Sequence, residues 1–248
     1  MAFVGFKQQG TGVHKGRGQV SDGQTQGRTI MNIRSVQAAR LVLPLLLICP
    51  TLTSAQELKP IQLLEPQMDS GRPLMQVLKD RRSSRAFSTE GLPMQVLSNM
   101  LWAAFGVNRP ESGKRTAPSA MNWQEMDIYV ATADGLYLFD AKSHTLKPIL
   151  AEDIRAMTGL QPFVQEAPVN LIYVADFSRM GTGTADQKVF YSAAATGFIS
   201  QNVYLYCASE GLATVVRGLI DRPALEKVMR LRPDQRVTLA QSVGYPRK

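Results

Sequence analysis

Histidine and cysteine are nearly absent from this chain, with two of each in 248 residues. Cys49 falls inside an apolar leader, which leaves Cys207 alone in residues 56–248, so no intrachain disulfide can form there. Within the run Val203-Tyr204-Leu205-Tyr206-Cys207, a lone cysteine reads as an inert buried thiol. His14 and His144 cannot build a metal site, and no acid–His spacing suggests one. His144, the one histidine beyond the leader, falls in a polar turn, which argues against a Ser-His-Asp triad. No apolar run reaches the about 20 residues that span a bilayer. The net charge of +8 is concentrated in the leader. Residues 1–55 hold six basic and one acidic side chain, and without them the charge falls to +3. With no interleaving of aromatic and basic residues either, nucleic acid is excluded as a partner.

The chain nonetheless has the means to build a core: 44% of its residues are hydrophobic and 19% charged, which suits one globular domain. Residues 1–30 are rich in Gly, Gln and Lys/Arg and show no apolar periodicity. They are expected to be disordered or to precede the true start at Met31. From Met31 the pattern is a secretory signal over 31–55: Arg34 and Arg40, then the apolar core Leu41–Ile48, then Thr53-Ser54-Ala55 as a cleavage site. The expected location is secreted or periplasmic, with no stable membrane insertion after cleavage. The rival reading is a retained N-terminal anchor.

Residues 56–72 read as an extended arm. Pro73 opens a helix to about Asp80, and Pro93 opens a second over Met94–Phe105, stopped by Gly106. Residues 107–124 read as a loop. Met126–Ala131 alternates as a strand, Asp134-Gly135 turns it, and Leu136–Phe139 returns. A short helix near Asp153–Met157, a buried strand over Val169–Ala175 and a mobile loop over 178–186 follow. Residues 187–209 form the longest helix, apolar nearly all round. It must therefore be central or bury one face against another subunit. A strand over Ala213–Val216, a helix over Pro223–Met229 and a strand over Arg236–Gly244 complete an α+β order.

Chemistry concentrates in Arg81-Arg82-Ser83-Ser84-Arg85, where three cations and two hydroxyls form an anion cradle. Arginine forks hold phosphate through paired charge-assisted bonds, and hydroxyls donate to the remaining oxygens. A solvated basic face is the plain alternative for such a run. Three further features accompany it: Pro118-Ser119-Ala120-Met121-Asn122-Trp123-Gln124 before a strand, Glu210-Gly211-Leu212 at a helix end, and Gly244-Tyr245-Pro246-Arg247-Lys248.

In this order, these motifs and the AP-x-NL-x-YVAD strand resemble the FMN-dependent nitroreductase family. Within it, the chain looks most like the branch related to azoline-oxidising dehydrogenases. The resemblance covers roughly residues 73–246 and makes 73–248 the FMN-binding domain. It implies a central mixed β-sheet wrapped by helices, in a homodimer with FMN in two clefts lined by both subunits. Arg81, Arg82 and Ser83 would bind the FMN phosphate and ribityl chain, joined by Arg247. Arg85 would face the pyrimidine edge, where a cation stabilises the reduced flavin. Asn122 would contact the flavin, Pro118 and Ser119 would shape the wall, and the Gly211 amide would approach N5 with Glu210 beside it. No protein nucleophile or general base is implied, because the flavin N5 carries the hydride in a ping-pong exchange between a donor and a small aromatic, nitro or quinone-like acceptor. Residues 178–186, Asn108 and Arg109 would cover the open flavin face. NAD(P)H, the usual donor, is scarce outside the cytoplasm, which leaves the electron donor open. The alternative is a flavin-binding or dimeric scaffold without catalysis.

Overall fold

The computed structural model describes residues 57–247. The segment 1–30 and the signal expected over 31–55 lie outside the described residues. In chain order the elements are β1 (Ile61–Gln62), α1 (Leu74–Asp80), α2 (Met94–Phe105), β2 (Val107–Arg109), β3 (Lys114–Arg115), β4 (Met126–Ala131), β5 (Leu136–Asp140), β6 (Thr145–Leu150), β7 (Val169–Asp176), α3 (Ala185–Glu210), β8 (Ala213–Arg217), α4 (Arg222–Val228) and β9 (Gln235–Gly244). Pro73 and Pro93 stand just outside their helices as caps, with extended ψ angles of 133° and 147°.

Seven strands form one sheet in the order β1-β6-β5-β4-β7-β9-β8. The α+β class is as expected, but the sheet is antiparallel at every pairing, not mixed. The reason lies in β9. Strands β7 and β8 run the same way and are joined through α3, yet β9 inserts between them and bonds to both in the opposite sense. Strand β6 escapes the sequence reading because Pro148 interrupts it. A proline is confined to places where no ladder bond is needed, and β1 pairs only with Thr145 and Leu146, short of Pro148. The segment expected as a loop over 107–124 holds the β2–β3 hairpin. The helix expected at Asp153–Met157 is a single 3-10 turn over Arg155–Thr158.

Strand β7 explains the layering. All eight of its residues are buried. Val169, Leu171, Tyr173 and Ala175 pack into one core with α2, α3 and the inner face of β4. Ile172 and Val174 point the other way, into a second core with Leu225 and Met229 around α4. A strand covered on both faces needs the near-continuous apolar run seen there.

Helix α3 is capped by Thr184, whose Oγ1 accepts from the Gln187 N–H while the Gln187 side chain reaches back. Its inner stripe is Ser192, Ala195, Thr196, Ile199, Ser200, Val203 and Cys207. Its outer stripe is apolar and open: Val189 is 57%, Phe190 68% and Phe198 49% exposed. Of the two placements expected, the helix is not central. The 178–186 segment is tied at its start, since Arg179 pairs with both Asp127 and Asp176.

Candidate functional site

Helix α1 ends where the Arg81 N–H closes its last turn on the Val77 carbonyl. The following residues run along the free edge of β8. The Ser84 N–H donates to the Thr214 carbonyl at 2.9 Å, and Phe87 bridges to Pro246. On the same edge the Val216 N–H donates to the Tyr204 hydroxyl at 2.9 Å, and that hydroxyl lies 2.8 Å from the Ser83 Oγ. The Arg81 guanidinium sits over the Tyr204 ring, 5.3 Å from its centre, a cation–π contact that orients the fork.

Together these elements wall a cavity of about 460 Å³. Its charged lining is Arg72, Lys79, Arg81 and Arg82 against a single carboxylate, Asp80; Tyr204, Cys207, Gly211 and Thr214 complete the floor. Four cations, three of them planar forks, suit a phosphate. A second cavity of about 870 Å³ shares Gly211 and Pro246 with the first and adds Phe87, Ser88, Tyr245 and Arg247. The Cys207 thiol is fully buried and burial pushes its pKa up, so it is inert as expected.

The structure thus brings Arg81, Arg82 and Gly211 to one cavity and Arg247 to its neighbour. Ser83 is turned to Tyr204, and Arg85 is exposed outside both linings. Arg247 pairs with Glu166 and donates Nε–H to the Phe87 carbonyl at 3.2 Å. Glu210 is exposed and accepts from the Ser209 Oγ at 3.1 Å. Gly211 adopts φ +71°, ending α3, and its amide donates to the Cys207 carbonyl, as does that of Leu212. The amide expected to face N5 is therefore engaged within the helix end.

Pro118, Ser119 and Asn122 lie elsewhere. The Ser119 Oγ accepts from the Gln124 N–H at 3.0 Å, and the Asn122 Oδ1 accepts from the Gln124 side-chain amide at 3.1 Å. Met121, Asn122 and Gln124 all hold positive φ (51°, 54° and 47°), a costly run that clusters at functional sites. Trp123 packs edge-on against Tyr191 near the start of α3, ring centres 5.8 Å apart. Tyr191 and Gly211 are separated along the helix axis by about 30 Å. Beside this segment Glu125 is fully buried and neither carboxyl oxygen has a hydrogen-bond partner among the described residues; burial pushes its pKa up.

Sequence reasoning missed Tyr204, Arg72, Lys79 and Thr214. One signal was available: Tyr204, Cys207, Ala208 and Gly211 recur at intervals of three, four and seven, which sets them on one face of α3. Nothing local marks Arg72 or Thr214, which reach the site through long-range packing.

The sequence model described as "Nitroreductase family" matches residues 78–245. A Methanocaldococcus jannaschii protein named as a nitroreductase is 32% identical over 169 residues, covering 64% of this chain and 85% of its own length. A crystal structure from Ralstonia eutropha JMP134, also named as a nitroreductase, aligns with TM-score 0.74 at 43% identity, over 79% of this chain and 92% of that one. The NADPH:FMN oxidoreductase of Vibrio harveyi shares the fold, with TM-score 0.53 at 19% identity over 71% of this chain and 69% of its own. With the family model spanning residues 78–245, and with relatives alike in sequence and in fold, the chain belongs to the nitroreductase family.

Proposed function

We propose that this nitroreductase-family oxidoreductase is an exported FMN enzyme that works as a homodimer and reduces a small aromatic, nitro or quinone-like acceptor. The observation that carries the reading is the division of the site. The Arg81–Arg82–Gly211 group lies at the C-terminal end of α3, and the Ser119–Asn122 group lies by its N-terminal end. About 30 Å of helix separates them, more than one FMN can bridge. Each is half a site. The exposed stripe of Val189, Phe190 and Phe198 is the kind of apolar surface that marks an interface. A second copy seated on it by two-fold symmetry supplies the missing half from its own 118–124 segment.

The cavity fits the phosphate end of FMN by donor chemistry: four cations, the hydroxyl-bearing Ser84 and Tyr204 in its lining, and a left-handed glycine that leaves space beside the helix end. Arg81 and Arg82 would hold the phosphate. Ser83 and Arg247 would adjoin it once Arg247 leaves Glu166. Arg85 would meet the pyrimidine edge, and Asn122, Pro118 and Ser119 would form the wall from the second copy. When bound, FMN supplies the hydride-carrying ring. The chain's own residues bind it, orient it and limit access, with Asn108 and Arg109 on the exposed β2–β3 hairpin near its open face. The two half-reactions are ping-pong, the donor leaving before the acceptor enters. The leader expected over 31–55 favours a donor found outside the cytoplasm, such as a quinol or a redox protein, over NAD(P)H. The motif order supports a place in the branch related to azoline-oxidising dehydrogenases.

One observation favours the second reading, a flavin-binding scaffold without turnover. The Gly211 amide is already donated to Cys207, so the hydrogen bond assigned to it at N5 requires the helix end to rearrange. A visible spectrum of the purified protein, before and after adding FMN, tests both. A flavin spectrum at about one FMN per chain that bleaches with a biological donor supports the enzyme. A flavin that no donor reduces supports the scaffold. A colourless protein that ignores FMN overturns the flavin reading.

A further inference from the structure

The N-terminal arm, residues 57–72, is fastened at both ends. Near its start β1 pairs with β6. At its end Gly71 turns the chain with φ +104°, a conformation side chains rarely adopt, and a Cβ there would stand 3.0 Å from the Ser209 Oγ. The glycine thus lets the arm press against the last turn of α3. The Arg72 backbone N–H donates to that same Ser209 Oγ at 2.9 Å. The Arg72 side chain then enters the wall of the smaller cavity beside Arg81 and Arg82. There it pairs with Asp80, and its Nη1 donates to the Ala208 carbonyl at 3.4 Å, a long bond.

Two facts decide what this guanidinium can do. The backbone holds the arm through Ser209, so the side chain can change partners without releasing it. The pair with Asp80 is open to solvent, with side chains 42% and 45% exposed, and such pairs contribute little in water. A phosphate offers the same fork two acceptors and a higher charge. Asp80 is the only carboxylate in the cavity wall, so it is the group that an entering phosphate must displace.

We infer that Arg72 is a further phosphate-binding residue of this site, delivered by the N-terminal arm, and that Asp80 holds it in readiness until a phosphate exchanges for the carboxylate. The inference rests on the FMN reading above. Its signature is selective. Arg72 acts on the phosphate end alone, so it sets the preference for FMN over riboflavin, which lacks the phosphate.

The test is a fluorescence titration of the full-length chain with FMN and with riboflavin. The readout is the ratio of the two affinities, which a general loss of folding does not move. Arg72→Gln is expected to lower that ratio about tenfold or more, the loss of one charge-assisted contact, with riboflavin binding retained. Asp80→Asn is expected to raise it, because the competing carboxylate is gone. An unchanged ratio in Arg72→Gln makes the pair a mere fastening and overturns the inference while FMN binding stands. A lowered ratio in Asp80→Asn overturns the exchange. A wild-type chain that binds neither flavin overturns the FMN reading and this inference together.

Discussion

The hydroxyl of Tyr204 lies 2.8 Å from the Ser83 Oγ and joins the long helix to the cationic loop. It also accepts the Val216 N–H, and its ring lies beneath Arg81. One side chain on α3 therefore orients a cation, a hydroxyl and a strand edge. Tyr204→Phe keeps the ring and removes the hydroxyl. The expected cost is about 1–2 kcal/mol, from two lost hydrogen bonds. A lower urea midpoint at unchanged slope records it; a midpoint equal to wild type means water replaces both contacts.

Arg85 stands outside both cavities in the single chain. Its assigned role is to stabilise the reduced flavin, so Arg85→Ala is expected to weaken FMN binding and to make the bound flavin harder to reduce. A spectroelectrochemical titration measures both. If affinity and potential match wild type, Arg85 has no place at the pyrimidine edge.

Glu125 links pH to stability. Burial raises its folded-state pKa above the ordinary value of 4.5. Below 4.5 the carboxyl is neutral in both states and adds no penalty. As pH rises above that value the unfolded chain loses the proton first, so the native state holds more protons and stability falls until the folded pKa is passed. Glu125→Gln removes this term. Its stability relative to wild type should therefore increase between pH 4.5 and neutrality, as followed by urea unfolding at several pH values. A constant difference across that range means Glu125 ionises at its ordinary pKa.

The outer stripe of α3 gives a direct check on the half-site argument. Phe190→Glu with Phe198→Glu places two charges on the proposed interface while leaving the buried stripe intact. Sedimentation is expected to show a monomer that retains its circular dichroism. FMN affinity should fall with the dimer, since the 118–124 segment of a second copy is then missing. A variant that stays dimeric, or a monomer with full FMN affinity, refutes the divided site.

Much of the architecture was legible because local signals and packing agree. The alternation of Met126–Ala131, the proline before α2 and the apolar run of β7 each match the element found. What stayed hidden depended on distant partners. Pro148 masks β6, which forms because β5 supplies its ladder. The antiparallel sheet depends on β9 inserting between β7 and β8, a choice no local pattern records. At the site, Arg81 and Arg82 stood out as a charge cluster, whereas Tyr204 looked like one more apolar helix residue. The sequence order of Ser119 and Gly211 also gave no hint that α3 holds them so far apart.

Strand β8 is the last strand of the sheet, and an unpaired strand edge is a template for other chains. Two of its outward backbone groups are covered beside the cavity: the Thr214 carbonyl accepts the Ser84 N–H of the cradle loop, and the Val216 N–H donates to the hydroxyl of Tyr204, which the same loop contacts through Ser83. The loop that presents the arginines is thus also a guard against self-association. Damage to it opens an adhesive edge, so a faulty cradle should betray itself first as turbidity on storage, before any assay of electron transfer is run.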